Sequence, residues 1–172
     1  IGSSLVGSEM CIRDRVITSV TRDDLRDGGA EIFAQTIERV KERMPKITVE
    51  VLTPDFWGRK ENLYRVLDAG PIVFNHNIET VKRLQRSIRS GATYNRSMKI
   101  LKLASEHSNI KVKSGIMVGL GESKNEVMET IGDLYENGVR LLTIGQYMCP
   151  TKEHAPIDCL LYTSPSPRDS NL

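Results

Sequence analysis

The feature that most constrains the fold of this chain is a regular alternation of short β-branched segments with longer amphipathic segments. Apolar runs predict five strands, at residues 16–20, 47–52, 72–74, 112–118 and 139–144. Apolar residues spaced three or four apart predict helices at 30–44, 61–67, 79–88, 96–107 and 126–137. The predicted buried face of the first helix comprises Ile32, Phe33, Thr36, Ile37 and Val40. This alternation is typical of α/β proteins, in which right-handed crossovers produce a parallel sheet.

Polar residues follow every predicted strand, including Ser19, Asp55, Asn77, Glu122 and Gln146. The strand spacing fits either a doubly wound sheet or part of a β/α barrel. In both folds the site lies at the carboxyl ends of the strands, but a doubly wound sheet confines it to a switch point. Polar groups at all the ends therefore favour a barrel mouth. Because five strands cannot close a barrel, we expect a partial one.

Composition excludes several classes of protein. The chain has 172 residues and a net charge of +2, which is too balanced to suggest a nucleic-acid-binding surface. No apolar run approaches the roughly 20 residues that a membrane-spanning helix requires, and we expect no targeting signal. The three cysteines, at positions 11, 149 and 159, form no C-x-x-C pair. Their spacing argues against a disulfide scaffold or a structural zinc site.

The two ends differ from the middle in a way that predicts translated adaptor DNA. Residues 4–14 show no helical or strand period, and residues 159–169 contain two prolines. A back-translation of residues 6–14 has a reverse complement that, in a shifted frame, encodes residues 159–167. Such an inverted repeat resembles a transposase-type sequencing adaptor; the alternative is a natural low-complexity tail. We expect residues 1–15 and 159–172 to be adaptor-derived and unstructured, and residues 16–158 to form the domain.

Two glycine-containing turns are candidate ligand sites. Residues 23–29 follow the first strand, and their carboxylates suit either an ammonium or hydroxyl ligand or the dipole of the next helix. Residues 115–122 leave the fourth strand, where small residues let a flat ligand lie against the backbone. There Glu122 is placed to accept hydrogen bonds or to cap the following segment, and a plain tight turn is the alternative. The spacing differs from that of a triphosphate-binding loop.

A third candidate group comprises Asn75, His76 and Asn77, which leave the third strand. The amides can position a ligand without titrating, and His76 is a candidate base or metal ligand. Asn77 is also a candidate N-cap for the next helix.

Arginines at 83, 86, 89 and 96 cluster with Tyr94 in the sequence. They suit a carboxylate, a phosphate or an acidic partner, or else a solvated helix face. The chain offers no Ser-His-Asp or Cys-His arrangement, and we expect Cys149 to be a plain surface cysteine. The residues predict a polar mouth suited to a nucleoside-like ligand, with no catalytic or metal-ligating residue of their own.

Six segments, in order and at family-like spacing, closely resemble lipoyl synthases: residues 16–30, 53–56, 73–77, 91–95, 113–122 and 142–147. Lipoyl synthases are radical S-adenosylmethionine (SAM) enzymes with a partial β/α barrel. The resemblance implies SAM and two 4Fe–4S clusters as cofactors. The first cluster cleaves SAM to a radical that abstracts hydrogens, and the auxiliary cluster donates sulfur. The implied reaction is insertion of two sulfur atoms, at C6 and C8, into an octanoyl chain on a lipoyl carrier protein.

The resemblance also implies partners, a location and site residues. The partners are an octanoylated lipoyl domain or H protein and an electron donor, and the location is cytoplasmic in bacteria or organellar. Residues implied to bind the cofactor are Asp27, Gly28 and Gly29, at the methionine amino group, and Asn75, Asn77, Ser114, Gly115, Met117, Gly119 and Glu122, around the nucleoside. Residues implied to bind the substrate are Arg86, Arg89 and Tyr94.

The family's two cysteine trios and its serine ligand have no counterpart in residues 16–158. We therefore expect an internal fragment that lacks the first barrel strand, holds no cluster and is inactive as given. One alternative is a fragment of another radical SAM barrel related to biotin synthase, against which the Asp-Leu-Arg-Asp-Gly-Gly and Asn-His-Asn runs argue. The other is a cluster-free module that binds a nucleotide or a partner.

Overall fold

Five parallel strands form one sheet whose spatial order is the order of the sequence. The computed structural model describes residues 14–89, 91–107 and 110–158. The strands are β1 (Asp14–Thr18), β2 (Thr48–Leu52), β3 (Val73–Asn75), β4 (Lys111–Val118) and β5 (Leu141–Gln146). The helices are α1 (Ala30–Arg43), α2 (Lys60–Asp68), α3 (Gln85–Ile88), α4 (Tyr94–Ser105) and α5 (Lys124–Glu136), with a 3-10 turn at Phe56–Gly58.

The strand order decides between the two predicted architectures. Each strand pairs in parallel with the next one along the chain, from β1 to β5, with no reversal of order. The helices also follow one another, since α1 packs on α2, α2 on α4, and α4 on α5. A doubly wound sheet requires a point where the strand order reverses. The described chain is therefore an arc of a β/α barrel, and the predicted fold class is confirmed.

The amino-terminal strand begins earlier than the sequence indicated. Asp14 and Arg15, which we assigned to the adaptor-derived segment, belong to β1 and pair with Thr48 and Val49. Residues 1–13 and 159–172 lie outside the described residues, so the origin and order of those segments stay predictions.

The core lies between the sheet and the helices. The strands contribute Val51, Phe74 and Ile116, all almost completely buried. On α1 the buried residues are Ala30, Phe33, Ala34 and Ile37, one stripe at helical spacing. The predicted face of α1 was wrong at Ile32, which is 50% exposed, because it precedes Phe33 by one residue and so lies about 100° from it around the helix. No helix in the described part of the chain is both long and apolar enough to cross a membrane.

The helix predicted over residues 79–88 was wrong in its first half, because the observed helix is confined to Gln85–Ile88. The backbone N–H of Glu79 donates to the Gly115 carbonyl at 3.0 Å, and the Glu79 carbonyl accepts from Met117 at 2.8 Å. Glu79 also has a φ of 69°, in the left-handed region. Pairing with β4 therefore replaces the first helical turns, and Asn77 is not the N-cap that the sequence suggested, since Leu84 precedes α3.

Candidate functional site

The carboxyl ends of β1, β2 and β3 border two adjoining clefts that share Thr21, Pro54 and Arg89. The larger has a volume of about 530 Å³ and the smaller about 150 Å³. Residues that bear hydroxyl groups line much of the smaller cleft, together with an amide, a carboxylate and a guanidinium: Thr18, Ser19, Thr21, Thr53, Asn77, Glu79 and Arg89. The polar ends of β1, β2 and β3 thus border one mouth, as predicted, whereas the described residues that line the two clefts include none from the ends of β4 and β5.

Asn77, which lines the smaller cleft, packs against Gly115 of β4. A Cβ added to Gly115 would lie 2.7 Å from Asn77 Oδ1 and 3.0 Å from Asn77 Cγ, so the carboxamide occupies the space above the glycine. The irregular pairing of Glu79 with β4 holds this segment in place. Asn77 and Gly115, both predicted site residues, are thus brought together although they are far apart in the sequence.

The predicted arginine and tyrosine cluster is divided by the structure. Arg89 is half-buried, lines both clefts and donates from Nη1 to the Asn77 carbonyl at 3.0 Å. Arg86 is exposed, and the described residues lining the two clefts do not include it. The Tyr94 hydroxyl donates to Asp133 at 2.7 Å, in a separate cleft of about 270 Å³ bordered by α4 and α5. Burial and the hydrogen bond to Asp133 raise the pKa of Tyr94. Tyr94 therefore lies apart from the two clefts of the mouth, and its role in substrate binding stays a prediction.

The acidic turn after β1 stabilises the start of α1. One carboxylate oxygen of Asp27 accepts from the Gly29 N–H at 3.0 Å and the other from the Glu31 N–H at 2.8 Å. Gly28 has a φ of 64°, and a Cβ there would lie 3.3 Å from the Phe56 ring. Asp27, Gly28 and Gly29 were predicted to contact the cofactor, but of the three only Gly28 lines the larger cleft. The Asp27 carboxylate instead accepts hydrogen bonds from backbone N–H groups at the start of the helix.

Asp55 and Arg96 form a part-buried ion pair on the wall of the larger cleft. Arg96 Nε donates to Asp55 Oδ2 at 2.6 Å, and the other carboxylate oxygen accepts from the Trp57 N–H at 3.0 Å. Phe56 and Trp57 have φ values of 47° and 53°, which are unusual for residues other than glycine. The ion pair fixes this turn against α4. Asp55 was predicted only as a polar strand end, and its pairing across 41 residues has no local signal.

Residues 8–134 match the sequence profile of the Radical SAM superfamily, which covers more than half of the chain. The chain belongs to the radical SAM superfamily. It is also 48% identical over 164 residues to lipoyl synthases of Escherichia coli O1:K1 / APEC and of Enterobacter sp. (strain 638). These alignments cover 94% of this chain and 50% of each relative, so the chain spans half the length of the relatives it matches. The resemblance noted in the sequence is confirmed.

Solved structures confirm the radical SAM fold. Methylornithine synthase (PylB) superposes with a TM-score of 0.69 at 15% identity, covering 86% of this chain and 42% of that one. The radical SAM methyltransferase TsrM from Kitasatospora setae gives a TM-score of 0.56 at 16% identity, covering 82% and 29%. At these identities the likeness concerns the fold alone.

The glycine-containing end of β4 has two faces. Ser114 is buried on the helix side, where its hydroxyl donates to the His76 carbonyl and accepts from the Ile78 N–H. Successive side chains of a strand point to opposite faces, so the odd-numbered residues of β4, including Met117, lie on the other side of the sheet. The Glu122 carboxylate accepts from the Gly119 and Leu120 N–H groups and so fixes the turn. Ser114 and Glu122 are therefore engaged by the protein's own backbone.

Asn75 lies on the sheet face opposite the helices, beside an ion pair that the sequence analysis missed. Lys113 Nζ donates to Glu50 Oε1 at 2.8 Å, and Asn75 Nδ2 approaches the same oxygen at 3.4 Å. Asn75 Oδ1 is buried without a hydrogen-bond partner among the described residues. The available signal was the opposite charge of Glu50 within β2 and Lys113 within β4.

The mouth residues fit SAM but not an iron–sulfur cluster. SAM carries an ammonium, a carboxylate and ribose hydroxyls, which the Glu79 carboxylate, the Arg89 guanidinium and the Asn77 carboxamide of the smaller cleft complement in charge and hydrogen bonding. Within the described ranges Cys149 is the one cysteine, and no group of three or more His, Cys, Asp or Glu side chains is arranged to hold a metal ion. The described residues therefore supply no ligand set for a cluster.

Proposed function

We propose that this chain supplies the SAM-binding arc of the barrel of a lipoyl synthase and is part of that longer enzyme. The observation that carries the proposal is the placement of Asn77 over Gly115 at the mouth of a chain 48% identical to lipoyl synthases. The relatives favour this function over the biotin-synthase-like and cluster-free alternatives. The adaptor origin of residues 1–15 and 159–172 is a separate proposal, which the source DNA on both sides would test.

The described residues would share the binding of SAM among three elements. Asn77 and Glu79, after β3, bind the ribose hydroxyls. Arg89, whose guanidinium is half-buried between the two clefts, pairs with the methionine carboxylate. Gly115, on β4, leaves room for the Asn77 carboxamide, and Met117, on the same strand, provides thioether surface against which the adenine lies.

SAM, when bound to a reduced iron–sulfur cluster, supplies the radical chemistry of the superfamily. The proposed substrate is an octanoyl chain on a lipoyl domain or H protein, which receives two sulfur atoms from a second cluster, with electrons from an external donor. The proposal implies a cytoplasmic location in bacteria or an organellar one elsewhere. This chain's own residues bind and orient SAM.

The test uses the full-length protein with anaerobically reconstituted clusters and an octanoylated lipoyl domain as substrate. Mass spectrometry is expected to show the octanoyl chain gaining two sulfur atoms and losing two hydrogens, and Asn77→Ala is expected to lower the affinity for SAM about tenfold. Arg39→Ala, on the exposed face of α1, is the matched control. Sulfur-free product from a protein that cleaves SAM would contradict lipoyl synthase activity but keep the superfamily assignment.

A further inference from the structure

His76 is completely buried, and both of its ring nitrogens are hydrogen-bonded. Nδ1 lies 2.9 Å from the Thr53 carbonyl oxygen, and Nε2 lies 2.9 Å from Ser97 Oγ. A carbonyl oxygen can only accept, so Nδ1 carries the hydrogen. Nε2 must then accept from the Ser97 hydroxyl. The surroundings therefore select one neutral tautomer, and a role for His76 as metal ligand or general base, considered from the sequence, would break one of these bonds.

The two hydrogen bonds connect different parts of the protein. Thr53 is the first residue after β2, and it precedes Pro54 and Asp55, which line the larger cleft. Ser97 belongs to α4, in the helix layer. The bond from Nδ1 thus ties the end of β3 to the end of β2 at the mouth, whereas the bond from Nε2 anchors the ring to the layer behind the sheet.

The Nδ1 bond reinforces the sheet where regular pairing stops. Leu52 and Asn75 are the last paired residues of β2 and β3. Beyond them, the Thr53 N–H donates to the Asn75 carbonyl at 3.0 Å, and the His76 ring adds a second tie to Thr53. Asn77 follows immediately, so its carboxamide can lie on Gly115 only while the end of β3 keeps this position.

We propose that His76 is a positioning residue for the SAM-binding mouth, acting through its Nδ1–H bond to the Thr53 carbonyl. This bond holds the ends of β2 and β3 in the alignment that places Asn77 and Asp55 at the clefts. The Ser97 bond contributes stability but not alignment. The identity of the ligand rests on the proposed function, whereas the alignment of the two strand ends does not.

Amide side chains separate the two bonds. Asparagine can place an N–H near the position of Nδ1 and so keep the bond to Thr53, while its shorter side chain leaves Ser97 without a partner. Glutamine reaches towards the position of Nε2 and so can keep the bond to Ser97, but it leaves the Thr53 carbonyl without its partner. His76→Asn, His76→Gln and Ser97→Ala therefore form a matched set, in which each variant loses a buried hydrogen bond.

The experiment uses the reconstituted full-length protein and measures three quantities for each variant. These are the dissociation constant for SAM by calorimetry, the urea midpoint of unfolding, and hydrogen exchange at residues 52–56 and 75–79. We expect all three variants to be destabilised. His76→Asn and Ser97→Ala are expected to bind SAM within about threefold of wild type, while His76→Gln binds about tenfold more weakly and exchanges faster at the Thr53 N–H.

Affinity that falls in step with stability across the three variants, or equal affinity losses in His76→Asn and His76→Gln, would show a merely structural role and overturn the inference. If His76→Gln does not fold, Ser97→Ala decides, since an affinity loss there of tenfold or more contradicts the proposal. A wild-type protein that binds no SAM refutes the proposed function instead. The exchange comparison still tests the alignment in that case.

Discussion

Acidification from pH 6.5 to about 4 should destabilise this protein through the buried side chain of His76. Burial lowers its pKa from 6.5 to about 4, because the imidazolium would be removed from water. Between these values the unfolded chain binds more protons than the folded one, so the free energy of unfolding falls as the pH falls. The contribution is complete above pH 6.5 and lost at about pH 4. At about 1.4 kcal/mol per pKa unit, the loss is about 3 kcal/mol.

The measurement is urea-induced unfolding, followed by circular dichroism at a series of pH values from 4 to 7, of the wild type and His76→Asn. Subtracting the free energy of unfolding of the variant from that of the wild type removes the contribution of the carboxylates, which both proteins share. One of these is Glu126, whose pKa is lowered to about 2 by its hydrogen bond with the Arg83 guanidinium. The difference between the two proteins is expected to shrink steadily below pH 6.5. A difference that stays constant within about 1 kcal/mol would refute the assignment of His76 as a buried neutral residue.

Three further substitutions test other parts of the structure. Gly115→Ala should weaken SAM binding about tenfold with little loss of stability, because the new Cβ displaces the Asn77 carboxamide. Gly145→Ala on the neighbouring strand, whose Cβ would meet no described heavy atom within 4 Å, is the control, and equal affinities in calorimetry would exclude Asn77 as a contact. Ser123→Ala removes the N-cap of α5 and should cost about 1 kcal/mol in urea unfolding; an unchanged midpoint would show that the cap contributes nothing. Phe74→Ala should cost about 3–5 kcal/mol in the same assay, and a loss below about 1 kcal/mol would contradict its burial in the core.

The sequence predicted the framework well because its signals are local. β-branched runs and three- and four-residue spacing located all five strands, and four of the five helices began and ended within two residues of their observed bounds. The failure at residues 79–84 has a non-local cause. The N–H of Glu79 bonds to Gly115 on β4, and no periodicity in the segment itself indicates that partner.

The candidate site was predicted in composition but not in arrangement. Arg89 and Tyr94 are five residues apart, yet Arg89 lines the mouth and Tyr94 donates a hydrogen bond to Asp133 on α5. Asp27 and Glu122 were proposed as ligand contacts, and both accept hydrogen bonds from nearby backbone N–H groups. A carboxylate that caps a turn and one that binds a ligand have the same sequence signature, so the choice between them depends on what is folded against it.

The sequence by itself determined the alternation of strands and helices, the parallel sheet and the polar strand ends. Only the tertiary structure showed that Asn77 lies on Gly115, that His76 joins the ends of β2 and β3, and that Glu50 pairs with Lys113 across 63 residues. The physical reason is the range of the interactions involved. Periodicity and turn chemistry act between near neighbours in the chain, whereas the mouth is assembled from strand ends that only packing brings together.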